Sequence, residues 1–125
     1  VDSLTSQAEG ALAAGVSRER IVIDPAHDFG KNTRHSLECT RRLGELVALG
    51  WPVLVSLSNK DFVGESLGRD VGDRVPGTLA TTAISAWLGA HVYRVHEVRE
   101  TRDVLDMVSV ISGDLAPMRT TRGLA

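Results

Sequence analysis

The stretch Val53-Leu54-Val55-Ser56-Leu57-Ser58-Asn59-Lys60 decides the fold class, because an apolar run passes here directly into polar residues. It predicts a buried strand over residues 53–55 that ends in a polar turn. Two stretches of the same kind flank it. Ile21-Val22-Ile23 ends at Asp24-Pro25, and His91-Val92-Tyr93 leads into Arg94-Val95-His96. The sequence therefore predicts three short strands, each followed at once by chemically active side chains.

Apolar residues at helical spacing separate these strands and predict helices over 3–14, 36–49, 78–88 and 100–111, with a loop over 61–77. The strands start about 30–40 residues apart, which is the length of a βαβ unit, so we expect a parallel sheet. The helix over 78–88 carries almost no charge, and we expect it to be buried on more than one side. We expect Trp51 and Trp87 to be packing anchors.

The composition is that of an ordinary folded domain: 42% of the 125 residues are apolar and 24% charged, with 14 basic and 16 acidic side chains. Disordered chains have fewer apolar residues, and a membrane span needs about 20 nearly unbroken ones. The net charge of −2 gives no reason to expect a nucleic-acid or membrane partner. Cys39, the single cysteine, forms no internal disulfide, so we expect a cytoplasmic protein. The chain starts without Met and without signal-peptide features, and we expect it to be a piece of a longer protein.

Parallel strands all end on one edge of their sheet, so the polar residues at the three strand ends should meet there. They are Asp24 after the first strand, residues 58–60 after the second, and Arg94 and His96 at the third. An acid beside several cations would suit a polar ring with donors and acceptors, or a phosphate. The alternative is that these side chains only solvate the loops.

Four segments resemble motifs of the dihydropteroate synthases, in order and with compatible spacing, from residue 21 to about 110. Residues 24–31 (Asp-Pro-Ala-His-Asp-Phe-Gly-Lys) resemble D-P-G-x-G-F-G-K, and residues 53–60 resemble P-x-L-x-G-x-S-R-K. Residues 94–98 (Arg-Val-His-Glu-Val) resemble R-V-H-D-V, and Arg74 with residues 76–80 is similar to E-R-x-x-G-T/S-L-A.

The resemblance implies a (β/α)8 TIM barrel of the pterin-binding type, of which this chain supplies about the last three βα units. Because a whole barrel takes about 250 residues, we expect the missing strands to lie N-terminal to Val1. Residues 1–125 would then form a single segment, with a preceding helix within 1–20 and a frayed tail over 112–125. The family is commonly dimeric, and the helix over 78–88 with Trp87 is the expected homodimer contact.

The resemblance also implies the family's reaction, which joins p-aminobenzoate to 7,8-dihydropterin-6-ylmethyl diphosphate. Asp24, Lys60, Arg94 and His96 match residues that bind the pterin and the diphosphate. On the aminobenzoate side the matching positions are Phe29, Ser58 and Asn59. The family uses magnesium, but its metal loop follows the first strand of the barrel, so we expect no metal ligand in this chain. No residue here is expected to be a catalytic base.

Other interpretations of these residues stay open at this point. Asp24 could only shape a turn, Lys60 could only be solvated, and Arg94 could pair with Glu97 or Asp24. The set Asp24, His27, Asp28 and His35 matches no standard zinc spacing. Cys39 has no partner that would make it reactive.

Three departures from the family pattern bear on activity. Asn59 replaces the arginine of S-R-K, and it supplies neither a cation nor a flat stacking face. Residues 26–28 (Ala-His-Asp) replace a glycine-rich stretch, which would put bulk where the backbone approaches a ligand. Ser56 replaces a further glycine.

This pattern of departures is similar to the divergent second-copy dihydropteroate synthases of actinobacteria. We therefore expect a degenerate paralogue with little or no activity. The alternatives are an active synthase and another pterin-binding barrel, such as a folate-dependent methyltransferase domain.

Overall fold

A small parallel sheet lies at the centre of the fold. The computed structural model describes residues 1–123. Strands β1 (Leu54–Ser56) and β2 (Val92–Arg94) pair in parallel, with Ser56 opposite Arg94. Ile23 joins the other edge of β1 through a single parallel bridge to Val53. The predicted strand over 21–23 is therefore reduced to one bridge.

Helices make up most of the remaining regular structure. They are α1 (Asp2–Ala13), α2 (Thr33–Arg41), α3 (Leu43–Val47), α4 (Asp61–Leu67), α5 (Val75–Trp87) and α6 (Val98–Ser112), with short 3-10 turns at Arg18–Arg20 and Val71–Asp73. The order of helices and strands agrees with the predicted alternation, and the predicted parallel pairing is confirmed.

One face of the sheet is buried and the other is open. Val53 and Val55 are at most 1% exposed and belong to the apolar core, together with Leu43, Phe62 and Val63. On the two neighbouring segments, Val22 is 48% exposed beside the buried Ile21 and Ile23, and Val92 of β2 is 40% exposed. Since successive strand residues point to opposite faces, the helices cover one side of the sheet only.

Two helices differ from their predicted bounds for local reasons. The predicted helix over 36–49 is divided into α2 and α3, because the backbone leaves helical geometry at Arg42 (φ −99°, ψ 15°). Gly44 lies two residues further on, and glycine weakens a helix. Helix α5 begins three residues early, with Pro76 in its first turn, where a missing N–H costs nothing.

The prediction of a loop over 61–77 is wrong, because α4 occupies its first half. The glycines at 64 and 68 suggested a turn. The structure shows that α4 receives its N-terminal cap from a distant residue: the Phe62 backbone N–H donates to Asp28 Oδ2 at 3.1 Å. No local sequence signal carries that information.

The expectation that the 78–88 helix is buried on several sides is also wrong. Its buried side chains are the hydroxyl residues Thr78, Thr82 and Ser85, whereas Ile84 is 54% exposed and Trp87 is 62% exposed. Trp51 is a packing anchor as predicted, at 5% exposure. The predicted tail over 112–125 starts within α6, whose last residue is Ser112. Positions 124 and 125 lie outside the described residues.

Candidate functional site

The residues at the strand ends meet at one edge of the sheet, as predicted. The loop after Ile23 contacts the loop after β1, where the Lys60 ammonium group donates to the His27 carbonyl oxygen. The loop after β1 contacts the loop after β2, where the His96 backbone N–H donates to Ser58 Oγ at 3.2 Å. Three loops far apart in sequence thus form one polar edge.

Asp24 and Lys60 lie on the first side of this edge. Asp24 Oδ1 accepts a hydrogen bond from the Ala26 N–H at 2.7 Å, as in an Asx turn. Besides its bond to His27, Lys60 lies 4.6 Å from the centre of the Phe29 ring. Burial lowers the pKa of Lys60, and the nearby Arg94 and Lys31 act in the same direction, while Asp28 and Asp24 oppose them. The ammonium group is therefore partly desolvated and fixed in position.

Arg94 and His96 lie on the far side of the edge and are exposed. The Arg94 guanidinium donates to Ser56 Oγ at 3.5 Å, the limit of a hydrogen bond, and within residues 1–123 it pairs with neither Glu97 nor Asp24. Ser56 itself is 8% exposed. Both side chains remain accessible to an anionic ligand.

The loop that carries Asp24 is strained at two positions. Ala26 and Asp28 have φ angles of +54° and +65°, a region that costs an ordinary residue about 1–2 kcal/mol. These are the positions at which the resembling motif has glycine. The loop therefore has the positive φ angles that glycine favours, although other residues occupy both positions.

This turn corrects the expectation that His27 and Asp28 place bulk in the ligand site. The His27 side chain is completely buried, stacked on Phe62 with ring centres 5.6 Å apart. Asp28 caps α4, and its Oδ1 accepts a bond from Ser36 Oγ at 2.8 Å. The two positive φ angles reverse the backbone and direct these side chains towards α2 and α4. Only the His27 carbonyl faces Lys60.

The tautomer of His27 follows from its neighbours. Thr40 Oγ1 donates its one proton to the Ser36 carbonyl at 3.1 Å, so it accepts from His27 Nε2 at 3.0 Å. Nδ1 then carries the lone pair, and it is buried with no partner among residues 1–123. Burial, aided by the charge of Lys60, lowers the pKa of His27 to about 4. The ring is therefore neutral near pH 7.

Asn59 is the residue whose role differs most from the expected one. Its φ is +55°, and its backbone N–H donates to Thr78 Oγ1 at 3.0 Å. Its carbonyl accepts from Arg74 at 2.8 Å, and its Nδ2 donates to Glu97 Oε1 at 3.2 Å. Gly64 lets the Arg74 side chain pass, because a Cβ there would overlap the guanidinium group. Asn59 therefore joins the loop after β1 to α5 and α6.

Sequence reasoning missed several residues that shape the site, namely Lys31, Arg74, Thr78 and Glu97, whose carboxylate accepts the bond from Asn59. Lys31 Nζ donates to the carbonyls of Ala26 (3.1 Å) and Phe29 (3.3 Å) and so stabilises the strained loop. Arg74 and Thr78 belong to a recognised motif, which was the available signal.

The described residues contain no group of three or more His, Cys, Asp or Glu side chains that could hold a metal ion. Across residues 1–123, no helix has the length and apolarity needed to cross a membrane.

Parallel strands whose ends form a polar edge are typical of α/β proteins that bind a ligand at that edge. The chain belongs to the pterin binding enzyme family, which it matches over residues 1–96. It is 58% identical over its whole length to the inactive dihydropteroate synthase 2 of Mycobacterium tuberculosis (strain H37Rv), and it spans 39% of that relative.

Solved structures show the same fold. The dihydropteroate synthase of Coxiella burnetii in complex with pteroic acid matches with a TM-score of 0.86 at 29% identity, over 91% of this chain and 42% of that one. The dihydropteroate synthase of Thermus thermophilus in complex with 4-aminobenzoate matches with a TM-score of 0.79 at 43% identity, over 85% and 41%. The chain therefore has the fold of part of a dihydropteroate synthase-type barrel.

Proposed function

We propose that this chain is part of a degenerate dihydropteroate synthase-like barrel that binds a pterin and has little or no synthase activity. The observation that carries this proposal is Asn59. The position that bears an arginine in the family motif here holds an amide whose polar atoms are used for loop contacts. The 58% identity to a mycobacterial relative named as inactive supports the same conclusion.

The pterin side of the site keeps its chemistry. Asp24 is assigned to the N–H pair of the pterin ring: Oδ1 already accepts from Ala26, but each carboxylate oxygen accepts more than one hydrogen bond. Lys60 donates to ring acceptors from its fixed position. Arg94 and His96 face solvent as donors for a diphosphate group, which flat guanidinium donors suit well. Phe29, 69% exposed, is the apolar wall on the aminobenzoate side.

Residues 1–125 form a single segment that supplies the last three βα units of an eight-unit barrel in a longer protein. The open face of the sheet at Val22 and Val92 supports this, because an apolar sheet face needs a covering layer. The described residues contain no group of three or more His, Cys, Asp or Glu side chains that could hold the magnesium of the family's reaction. No chemical step is assigned to a metal here.

A homodimer through α5 is the proposed assembly. Ile84 and Trp87 form an apolar surface on a helix without charged residues, and such exposed surfaces commonly mark protein contacts.

The deciding experiment compares binding with turnover in the intact protein. Isothermal titration with 7,8-dihydropterin-6-ylmethyl diphosphate should show binding, and a dihydropteroate-forming assay on the same sample should show no turnover above background. Turnover at ordinary enzyme rates, roughly 1 per second or faster, would identify an active synthase. Absence of pterin binding would refute the proposal.

A further inference from the structure

Ser56 adds a side chain to the open face of the sheet, next to Arg94. Val53 and Val55 point into the core, so the alternation along β1 directs Ser56 to the opposite face. Ser56 and Arg94 are paired in the parallel register and therefore share that face. The matching family motif has a glycine at position 56. This chain thus places a hydroxyl group beside Arg94 where the motif has only backbone.

The Ser56 hydroxyl group has a proton to donate that no described residue uses. Its Oγ accepts from the Arg94 guanidinium group at 3.5 Å, and a guanidinium group can only donate. The hydroxyl proton is left over, and among residues 1–123 no acceptor takes it up. Ser56 is only 8% exposed, and a buried donor without an acceptor is costly. A ligand oxygen beside Arg94 would supply the missing acceptor.

The residues around Ser56 make this part of the open face suitable for an anion. Ser58 Oγ accepts from the His96 backbone N–H at 3.2 Å, which joins the loops after β1 and β2. The side chains of Arg94 and His96 are exposed. Hydroxyl, guanidinium and imidazole groups can all donate to phosphoryl oxygens. Because the Arg94 guanidinium group contacts Ser56 Oγ, an oxygen bound by one of these two groups lies within reach of the other.

We infer that Ser56 is a specificity-determining residue whose hydroxyl group donates to a phosphoryl oxygen held by Arg94, so that the site selects a phosphorylated pterin over the same pterin without phosphate. This inference rests on the proposed function for the position of the ligand. It adds a residue that the family motif does not have and the class of ligand that this residue favours. The alternative is that the Ser56 side chain only fills space that a glycine would leave free.

The test uses three probes in isothermal titrations of the intact protein. The first, 7,8-dihydropterin-6-ylmethyl diphosphate, carries both the ring and the anion. The second, 6-hydroxymethyl-7,8-dihydropterin, carries the ring alone, and the third, inorganic diphosphate, is the anion alone. We expect the unmodified protein to bind the diphosphate ester at least about tenfold more tightly than the hydroxymethyl pterin, because hydrogen bonds to a charged group are stronger than those to a neutral one.

Two variants assign this preference to the Ser56 hydroxyl group. Ser56→Ala removes the hydroxyl and keeps the β carbon, whereas Ser56→Gly restores the residue of the motif. Both should weaken binding of the diphosphate ester and of inorganic diphosphate about tenfold, and change binding of the hydroxymethyl pterin less than about twofold. Ser85→Ala is the matched control, since Ser85 on α5 is also buried and its hydroxyl has no partner among residues 1–123. It should leave all three affinities unchanged.

Three results would overturn the inference. They are unchanged binding of both diphosphate probes by Ser56→Ala, an equal loss for the two pterins, and tighter binding of the diphosphate ester by Ser56→Gly, which would show that the side chain only fills space. Failure of the proposed function is recognised separately. If neither pterin binds, the proposed function is refuted, while inorganic diphosphate still tests the Ser56 hydroxyl group. If inorganic diphosphate does not bind either, the inference is overturned as well.

Discussion

The His27 carbonyl oxygen accepts a hydrogen bond from the Lys60 ammonium group, while the His27 ring lies on the opposite side of the backbone in the core. One residue thus joins the packing of α2 and α4 to the position of a candidate ligand-binding cation. The strained turn of Ala26 and Asp28 makes this possible, because it sends the side chain and the carbonyl of residue 27 in different directions.

Ala26→Gly should stabilise the protein by about 1 kcal/mol, because alanine at a φ of +54° is strained and glycine is not. The measurement is the free energy of unfolding of the intact protein from urea titration. Ala48→Gly is the control: Ala48 has an ordinary φ of −64°, and glycine there should destabilise by about 0.5–1 kcal/mol. If both changes destabilise, Ala26 is not strained.

Asp28→Ala should destabilise the protein by about 2 kcal/mol, because it removes the cap of α4 and the bond to Ser36 and leaves alanine at positive φ. Hydrogen exchange at the Phe62 amide should accelerate in parallel. Asp61→Ala is the control: Asp61 is 79% exposed at its side chain, and its surface ion pair with Arg74 is worth less than about 1 kcal/mol. Equal effects of the two changes would contradict the capping role.

The stability of the protein should depend on pH through His27. Its pKa is lowered to about 4 in the folded state from an ordinary value of 6.5, so the unfolded chain binds the proton more tightly. Stability from this group is complete above about pH 6.5 and falls as the pH drops towards 4, by up to about 3 kcal/mol. Urea titrations from pH 7 to 4 should show this slope, and His27→Phe should reduce it. An unchanged slope in the variant would refute the buried neutral state of His27.

Lys60→Gln should weaken binding of the pterin diphosphate at least about tenfold, since a charged hydrogen bond contributes about 1.5–3 kcal/mol. Isothermal titration measures the affinity, and urea titration confirms that the variant is folded. Arg102→Gln serves as the control, because that side chain is 65% exposed on α6, where it pairs with Asp106. Similar losses in both variants would show that Lys60 does not contact the pterin.

Trp87→Asp should convert the proposed homodimer into monomers, because a charge would be buried in an apolar contact. Sedimentation velocity of the intact protein measures the change. Val71→Asp introduces the same charge at another exposed apolar residue, outside α5, and should leave the dimer intact. A monomeric unmodified protein would refute this contact.

The sequence alone predicted much of the fold, for reasons visible in particular residues. Short β-branched runs ending at Asp24 and Lys60, spaced by helical patterns, predicted parallel pairing, which the register of Ser56 with Arg94 confirms. It failed for α4, because the cap of this helix comes from Asp28, more than thirty positions earlier. It also failed for α5, where the hydroxyl side chains are buried instead of the apolar ones. Helical spacing does not state which face a neighbour will cover.

For the site, the sequence by itself predicted which residues lie at the ends of the strands. Those residues meet because parallel strands end at the same edge of a sheet. Only the tertiary structure decided where those side chains point. It moved His27 and Asp28 out of the site, since two positive φ angles reverse the loop. It also turned Asn59 towards Glu97, since contacts from Thr78, Arg74 and Glu97 fix that residue. Residue type and spacing set the available chemistry, whereas long-range hydrogen bonds and burial determine which atoms a ligand can reach.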